Sequence, residues 1–553
     1  MKMNKNVARL AVTAGLSLAM GFGGIMAPVA AFAGGNENGD GGDDPNENSI
    51  VINQAWNNGA TSFKAYQIFK ADVAYQNGGK VVSNVEWASD AAKTAVLGVL
   101  TGINGSGITN DSSAQDVADY LSKNVTDTTT STRVDKDHVL NKIAKAVKGS
   151  VTPTGDSFKA GEWFTAQSNG YYLFLTDDST IGQTTANKKN TGTSPIFAVV
   201  GGDGVRITEK TSIPTVDKKI KDDKPGSVWA DKGDSQMGQN VKYQLTGTVA
   251  DNVATFDTYY YEFHDELSAG LTADASSVAV KIDGTKVDAS KYTVAYDTTN
   301  NNNTLTVKFN DLKSAGADIT KDSKVVVTYT AKLDATKAQK VTVGGQGNPN
   351  TVKLIYSNNP MSTGKGESTP DTVRDYTYAL KLVKEDSANE QTKLEGVKFT
   401  IQATGADEGA GTKYVQEDGS LGDHAYEFET NKKGEINVKG LDAGTYTVQE
   451  THTLDGYNTL PDFTFTVKAE GLDQKEGNNN LTVTTSKSGS DLVVDPSFDN
   501  GTVNLTVKNK KGSGLPLTGL NGVTLTWVAG GAMLVIGVAH LIRSRKAAEA
   551  SEE

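Results

Sequence analysis

Leu515, Pro516, Leu517, Thr518 and Gly519 stand together near the C-terminus, ahead of an apolar run over residues 523–542 and then Arg543, Arg545 and Lys546. The run matches the roughly 20 residues that an apolar helix needs to cross a bilayer. The basic end favours the cytoplasmic side. This order predicts a C-terminal span that holds Thr518 outside the membrane. Other chemistry finds little support. The five histidines, at 138, 264, 424, 452 and 540, form no His-x-x-x-His pair, and there is no cysteine to act as a thiol ligand. The glycines at 344, 345 and 347 do not stand between a strand and a helix, so a phosphate loop is not predicted. Asp111-Ser112-Ser113 lacks the alternating Asp-x-Ser-x-Ser spacing of a metal site, and the acidic tract 40–44 is too flexible for one. No metal, no cofactor and no turnover enzyme are expected.

The N-terminus agrees with export. Lys2, Lys5 and Arg9 precede an apolar stretch over residues 10–29, and Ala31-Phe32-Ala33 places small residues where a signal peptidase reads them. Cleavage is expected after Ala33. Peptide motif, span and basic tail together resemble an LPXTG-type sorting signal, which implies that a sortase, a transpeptidase, cuts between Thr518 and Gly519 and links the protein covalently to a Gram-positive surface. Residues 1–33 are therefore read as signal peptide and 512–553 as sorting signal with its helix, leaving a mature chain in which neither apolar end belongs to the fold. The precursor is expected to be held in the membrane by its C-terminal span.

A mature chain of this size has room for about three domains. It has no cysteine although secreted proteins can use disulfides, so its stability must come from elsewhere. Its formal charge of −12 argues against nucleic acid as a partner. Runs rich in Val, Thr and Tyr recur at 241–249, 259–263, 304–309, 324–333, 445–450, 462–468 and 502–508. Many alternate apolar with polar and end at Gly, Asn or Asp, which predicts antiparallel β-sandwiches. Residues 34–48 form a Gly, Asn and Asp leader expected to be disordered. The stretch 49–204 is mixed, with helical periodicity at 91–100, 114–123 and 138–147 and strands at 62–69 and 170–176. A middle sandwich is expected over 205–371, its last ten residues reading as a linker, and a third sandwich over 372–511. The fold class is thus mainly β, with three tandem immunoglobulin-like or collagen-adhesin-type sandwiches, the first carrying added helices.

Within the third region, Leu380-Lys381-Leu382-Val383-Lys384, Gly444-Thr445-Tyr446-Thr447-Val448-Gln449-Glu450 and Val507-Lys508-Asn509 resemble the first, acid-bearing and last strands of the collagen-adhesin B-type domain of Gram-positive surface proteins. The resemblance implies an isopeptide bond between Lys384 and Asn509, promoted by Glu450. The middle region resembles the middle domain of sortase-assembled major pilins, through Pro214-Thr215-Val216-Asp217-Lys218-Lys219-Ile220, Phe263-His264-Asp265-Glu266-Leu267 and Asn350-Thr351-Val352-Lys353-Leu354. It implies a second bond, Lys218 to Asn350, promoted by Asp265. Lys219 is the rival donor, because a slip of one residue changes which lysine faces the core. Asn358 and Asn504 are rival acceptors.

Ala65-Tyr66-Gln67-Ile68-Phe69, Asn84-Val85-Glu86-Trp87 and Gly170-Tyr171-Tyr172-Leu173-Phe174 resemble the pilin N-terminal domain, where no third triad is found and greater lability is expected. Val205-Arg206-Ile207-Thr208-Glu209-Lys210-Thr211 resembles the family's linkage motif without its Tyr-Pro pair and Asn, implying Lys210 as the acceptor for Thr518 of the next subunit. Lys188 and Lys189 are weaker rivals.

The chemistry of such a triad follows from burial. Low dielectric disfavours both charged forms, lowering a lysine's pKa and raising a carboxyl's, so the pair can exchange a proton. The neutral amine attacks the carboxamide carbon, the protonated acid stabilises its oxygen, and ammonia leaves. The fold supplies proximity, and the event occurs once per molecule. Taken together, the resemblance implies a backbone pilin polymerised from Thr518 to Lys210, supporting adhesion. Its expected partners are pilin-specific and housekeeping sortases, other copies of itself, peptidoglycan, minor pilins and a host surface ligand. The alternative is a single-copy wall-anchored adhesin or a minor pilin.

Overall fold

A computed structural model of the chain describes residues 47–55, 58–76, 79–125, 136–182, 184–185, 188–209, 213–222, 224, 226–299, 302–404, 413–472 and 482–512. The signal peptide, the leader up to residue 46, Lys210 and the whole of Leu515–Gly519 with the span behind it lie outside the described residues. Among the described residues no helix is long and apolar enough to cross a membrane.

The first region packs three helices on a β-sheet. The strands run in the order Gly79–Trp87, Ser62–Gln76, Gly170–Thr176 and Ile196–Val200. Gly170–Thr176 is buried along its whole length because both sheet faces are covered. Its odd residues Tyr171, Leu173 and Leu175 join Phe197 and Val199 against the helices. Its even residues Tyr172 and Phe174 join a second core with Phe63, Phe158 and Phe164. This is the alternation that a strand's two-residue period dictates. The helices Asp90–Leu100, Ala114–Asn124 and Val139–Ser150 are each capped by a side chain. Ser89 accepts from Ala92 N, Ser113 forms a reciprocal capping box with Asp116, and His138 accepts from Leu140 N, satisfying amides that a helix start leaves open.

Two expectations need correction. Val205–Thr208, read as opening the middle region, pairs in parallel with Ser49–Asn53 and so closes the first region's small sheet. A parallel partner about 150 residues away leaves no local signature in either strand. At the boundary with the third region, residues 362–371, read as a linker, hold the short strand Lys365–Glu367, and residues 372–376, read as opening the third sandwich, belong to the middle region's strand Asp371–Tyr376, which pairs with Asn348–Val352 of the Asn348–Ser357 strand and in parallel with Lys232–Asp234. Val373 and Asp375 are its fully buried residues, an alternation hidden by its polar composition.

The middle region is a sandwich of two sheets. One contains Val216–Lys221, Val241–Thr248, Lys324–Leu333 and Leu271–Ile282; the other contains Asp371–Tyr376, Asn348–Ser357, Tyr261–Leu267, Thr304–Phe309 and Thr293–Asp297. The third region repeats the architecture. Its first strand, Tyr378–Asp386, lies parallel to its last, Thr502–Asn509. The facing sheet contains Lys398–Ala403, Gly444–His452, Phe463–Glu470 and Thr482–Ser488.

Backbone contacts join the regions. Gly192 N donates to Asn358 O at 2.7 Å, and Met237 N to Gly440 O at 2.8 Å. Gly344 and Gly501 meet back to back with φ of +55° and +80°; a Cβ on Gly344 would lie 2.3 Å from the Gly501 Cα, so glycine is required there.

Phe174 is fully buried among Phe158, Phe164 and Tyr172. Phe174→Ala should cost about 3–5 kcal/mol. Hydrogen exchange should then accelerate across Gly170–Thr176 and stay unchanged across Tyr378–Asp386.

Candidate functional site: two buried lysine, carboxylate and asparagine clusters

Each cluster is built by continuing apolar stripes. On Val216–Lys221, Lys218 and Ile220 point inward. On Tyr261–Leu267, Asp265 follows Tyr261 and Phe263 on the core face, and on Asn348–Ser357, Asn350 precedes Val352, Leu354 and Tyr356. All three polar side chains are fully buried. Lys218 Nζ makes a very short hydrogen bond to Asp265 Oδ1. It also donates to the Tyr329 hydroxyl at 3.2 Å, which in turn donates to Asp265 Oδ2 at 2.6 Å and accepts from Asn350 Nδ2 at 2.7 Å. Asn350 Oδ1 is buried with no hydrogen-bond partner among the described residues. The rings of Tyr243 and Tyr329 stack at 5.3 Å and stand 5.6 and 5.5 Å from the ammonium. Burial pulls Lys218 down from 10.5 to about 8, and the Asp265 charge opposes the shift.

In the third region Lys384 follows Leu380 and Leu382 inward, Asn509 follows Val503, Leu505 and Val507, and Glu450 follows Tyr446 and Val448 on the facing sheet. Because the first and last strands are parallel with Lys384 opposite Val507, Asn509 sits one inward step beyond the lysine. Lys384 Nζ donates to Asn509 Oδ1 through a very short bond and lies 3.0 Å from Glu450 Oε2. Asn509 Nδ2 donates to Glu450 Oε1 and to Thr453 Oγ1, both at 2.7 Å. The Phe399 ring is 5.4 Å from the ammonium. Burial again moves the lysine down to about 8, against the Glu450 charge.

The rivals sit elsewhere. Lys219 points outward and pairs with Asp231 at 2.6 Å and Asp217 at 2.8 Å. Asn504 lies on the opposite face of its strand from Asn509. Asn358 is buried at the junction with the first region, its amide atoms without partners among the described residues. Lys188 and Lys189 lie on a short strand pairing with Thr184–Thr185.

Several participants went unnoticed in the sequence. Tyr329 and Thr453 complete the two clusters. In the first region Lys80 is buried and donates to the carbonyls of Val199 and Asp203, at 3.1 and 2.8 Å. Glu209, the residue before Lys210, is buried and accepts from Ala55 N, Asn58 Nδ2 and Thr61 Oγ1 at 2.9–3.0 Å. It thereby clamps the end of the Val205–Thr208 strand to the segment 55–61. A valine- or tyrosine-rich stripe ending in a charged residue was the available signal for the clusters; nothing local marks Glu209. No group of three or more His, Asp or Glu among the described residues could hold a metal ion.

Geometry of this kind defines a class: tandem sandwiches in which a buried lysine on the first strand meets an acid and an asparagine on a strand near the end. Residues 379–490 match the SpaA prealbumin-like fold domain. A curated relative, the trypsin-resistant surface T6 protein of Streptococcus pyogenes serotype M6, is 25% identical over 283 residues, which is 46% of this chain and 46% of the relative. The aligned part thus spans about half the relative's length. Among solved structures, the T6 backbone pilin of serotype M6 Streptococcus pyogenes, described as a modular three-domain structure, is similar over 85% of this chain and all of that chain, with 17% identity and a TM-score of 0.51. That likeness is one of fold. The major pilin SpaD of Corynebacterium diphtheriae covers 85% of this chain and 99% of its own, with 17% identity and a TM-score of 0.46.

An Asn350→Ala chain keeps Lys218 as a free amine. Its pKa is about 8 folded and near 10.5 unfolded, so between those values the unfolded state binds more protons. Stability of this variant should therefore rise as pH increases from 8 to 10.5 and carry the full burial penalty below 8. Chemical denaturation across that window measures it.

Proposed function

We propose that the chain is a major pilin subunit, a structural protein and not a turnover enzyme. Sortase joins Thr518 of one copy to Lys210 of the next, and each copy is stiffened by Lys218–Asn350 and Lys384–Asn509 isopeptide bonds. The observation that carries this reading is the pair of fully buried clusters, each gathering a lysine with a depressed pKa, a carboxylate and a carboxamide. Structural lysines are almost never fully buried unless paired, and here the partners are those of an amide-forming reaction. Asp265 and Glu450 act as proton carriers. The T6 likeness and the sorting signal support the same reading. Head-to-tail linkage repeats a heterologous contact that does not close, so it generates a fibre. The domains follow as 1–33 signal peptide, 34–48 leader, an N-terminal pilin domain, two stapled sandwiches, and the sorting segment 512–553. The fibre is displayed on the cell surface. Pilin-specific and housekeeping sortases and peptidoglycan are its assembly partners, and the span holds the precursor until cleavage.

Peptide mapping of the full chain tests the bonds. The expected result is two joined peptide pairs, Lys218 with Asn350 and Lys384 with Asn509, each lighter than its parts by one ammonia. Unjoined peptides in both regions would overturn the mechanism. For assembly, Lys210→Ala should abolish high-mass ladders in cells that carry the sortase; ladders that persist would reassign the acceptor, and a wild-type chain without ladders would point to a single-copy wall protein.

A further inference from the structure

The two clusters use their acids differently. Glu450 spans its site, with one oxygen 3.0 Å from the lysine nitrogen and the other 2.7 Å from the Asn509 nitrogen. One carboxyl can take a proton from the amine and deliver it directly to the leaving nitrogen. Asp265 contacts Lys218 through Oδ1, but its second oxygen is met by the Tyr329 hydroxyl, and Asn350 Nδ2 bonds that same hydroxyl. A phenol has one proton to give and two lone pairs to share. Here all are used: it donates to Asp265 and accepts from Lys218 and Asn350. In the third region, among the described residues, no hydroxyl bridges acid and amide: Asn509 Nδ2 donates to Glu450 directly and, separately, to Thr453 Oγ1.

We infer that Tyr329 is a catalytic residue of the middle-region bond, relaying the proton from Asp265 to the Asn350 nitrogen as it leaves. This rests on the reading of Lys218, Asp265 and Asn350 as a bond-forming triad. The steps balance as follows. Lys218 Nζ gives one proton to Asp265 and its lone pair forms the bond to Asn350 Cγ. Asp265 returns that proton to the Tyr329 oxygen while the phenol's own proton moves to Nδ2. The Cγ–Nδ2 bond breaks, ammonia departs, and the remaining excess proton of Nζ passes to Asp265. The product is a secondary amide beside a protonated Asp265 and a phenol restored to its starting form. Burial, with the Asp265 charge beside it, holds the Tyr329 pKa well above the usual phenol value, so the relay starts from a protonated phenol.

The test follows closure with time in newly synthesised full chain, by peptide mapping. Tyr329→Phe should slow formation of the Lys218–Asn350 pair by roughly 100-fold, the lower end of what a positioned acid–base group contributes. The Lys384–Asn509 pair should form at the wild-type rate in the same molecules. Tyr259→Phe, which removes a hydroxyl buried in the same core and bonded to none of Lys218, Asp265, Asn350 or Tyr329, should close normally. A Tyr329→Phe chain that closes as fast as wild type overturns the inference. To separate chemistry from misfolding, a fluorinated tyrosine of lower pKa placed at 329 keeps the ring and hydroxyl; its closure rate should change, and an unchanged rate likewise overturns the relay. If wild type itself shows no Lys218–Asn350 pair, the triad reading fails instead, and the two failures are told apart.

Discussion

The ammonium groups of Lys218 and Lys384 are held in apolar sandwiches, and much of the structure is organised around that constraint. An unpaired buried charge costs several kcal/mol. Each lysine is therefore met by a carboxylate from the facing sheet and by an aromatic ring or rings at 5.4–5.6 Å, and a carboxamide bonds Lys384 directly and joins the Lys218 cluster through the Tyr329 hydroxyl. The pairing reduces the cost without removing it, since burial still outweighs the partner's charge in setting both lysine pKa values. A buried amine of lowered pKa in one cluster with a carboxylate and a carboxamide is what the proposed bond would need, and the surrounding strands supply the geometry. Stability before closure and reactivity toward closure thus draw on the same burial and pull in opposite directions.

The two sandwiches solve this problem with different parts. In the third region the lysine and asparagine stand on adjacent parallel strands, and a glutamate reaches both from across the core. In the middle region the lysine and tyrosine belong to one sheet and the aspartate and asparagine to the other. The shorter acid leaves a gap toward the asparagine nitrogen that the Tyr329 hydroxyl fills. The stack of Tyr243 on Tyr329 fixes where that hydroxyl sits.

The resemblance of these strands to known motifs made the two triads legible beforehand, and the period-two alternation of the strands agrees with it. Leu380, Leu382 and Lys384 share a strand face, as do Val503, Leu505, Val507 and Asn509, so a charged residue ending an apolar stripe could be read as buried. The same parity excludes Lys219 and Asn504 from the cores. Contacts made across the core had no such mark. Tyr329 lies in a run that reads simply as a good strand, and only the facing of two sheets brings it to Asp265. Val205–Thr208 was misassigned because its partner is a parallel strand far away in sequence, and Asp371–Tyr376 because its polar residues disguise an inward Val373 and Asp375. The helices of the first region were legible to within a few residues, their ends being set by caps at Ser89, Ser113 and His138.

The parallel adjacency of Tyr378–Asp386 and Thr502–Asn509 also decides how the third region would meet mechanical load. Pulling on the N-terminal end of one strand and the C-terminal end of the other shears the ladder between them. With Lys384 and Asn509 joined, the load bypasses everything between, and the intervening chain becomes a closed ring hanging off the tensioned path. The loops of that ring would then be free to vary, lengthen or even be nicked by a protease without parting the tensioned chain. Evolutionary latitude and mechanical continuity are assigned to different stretches of the same domain.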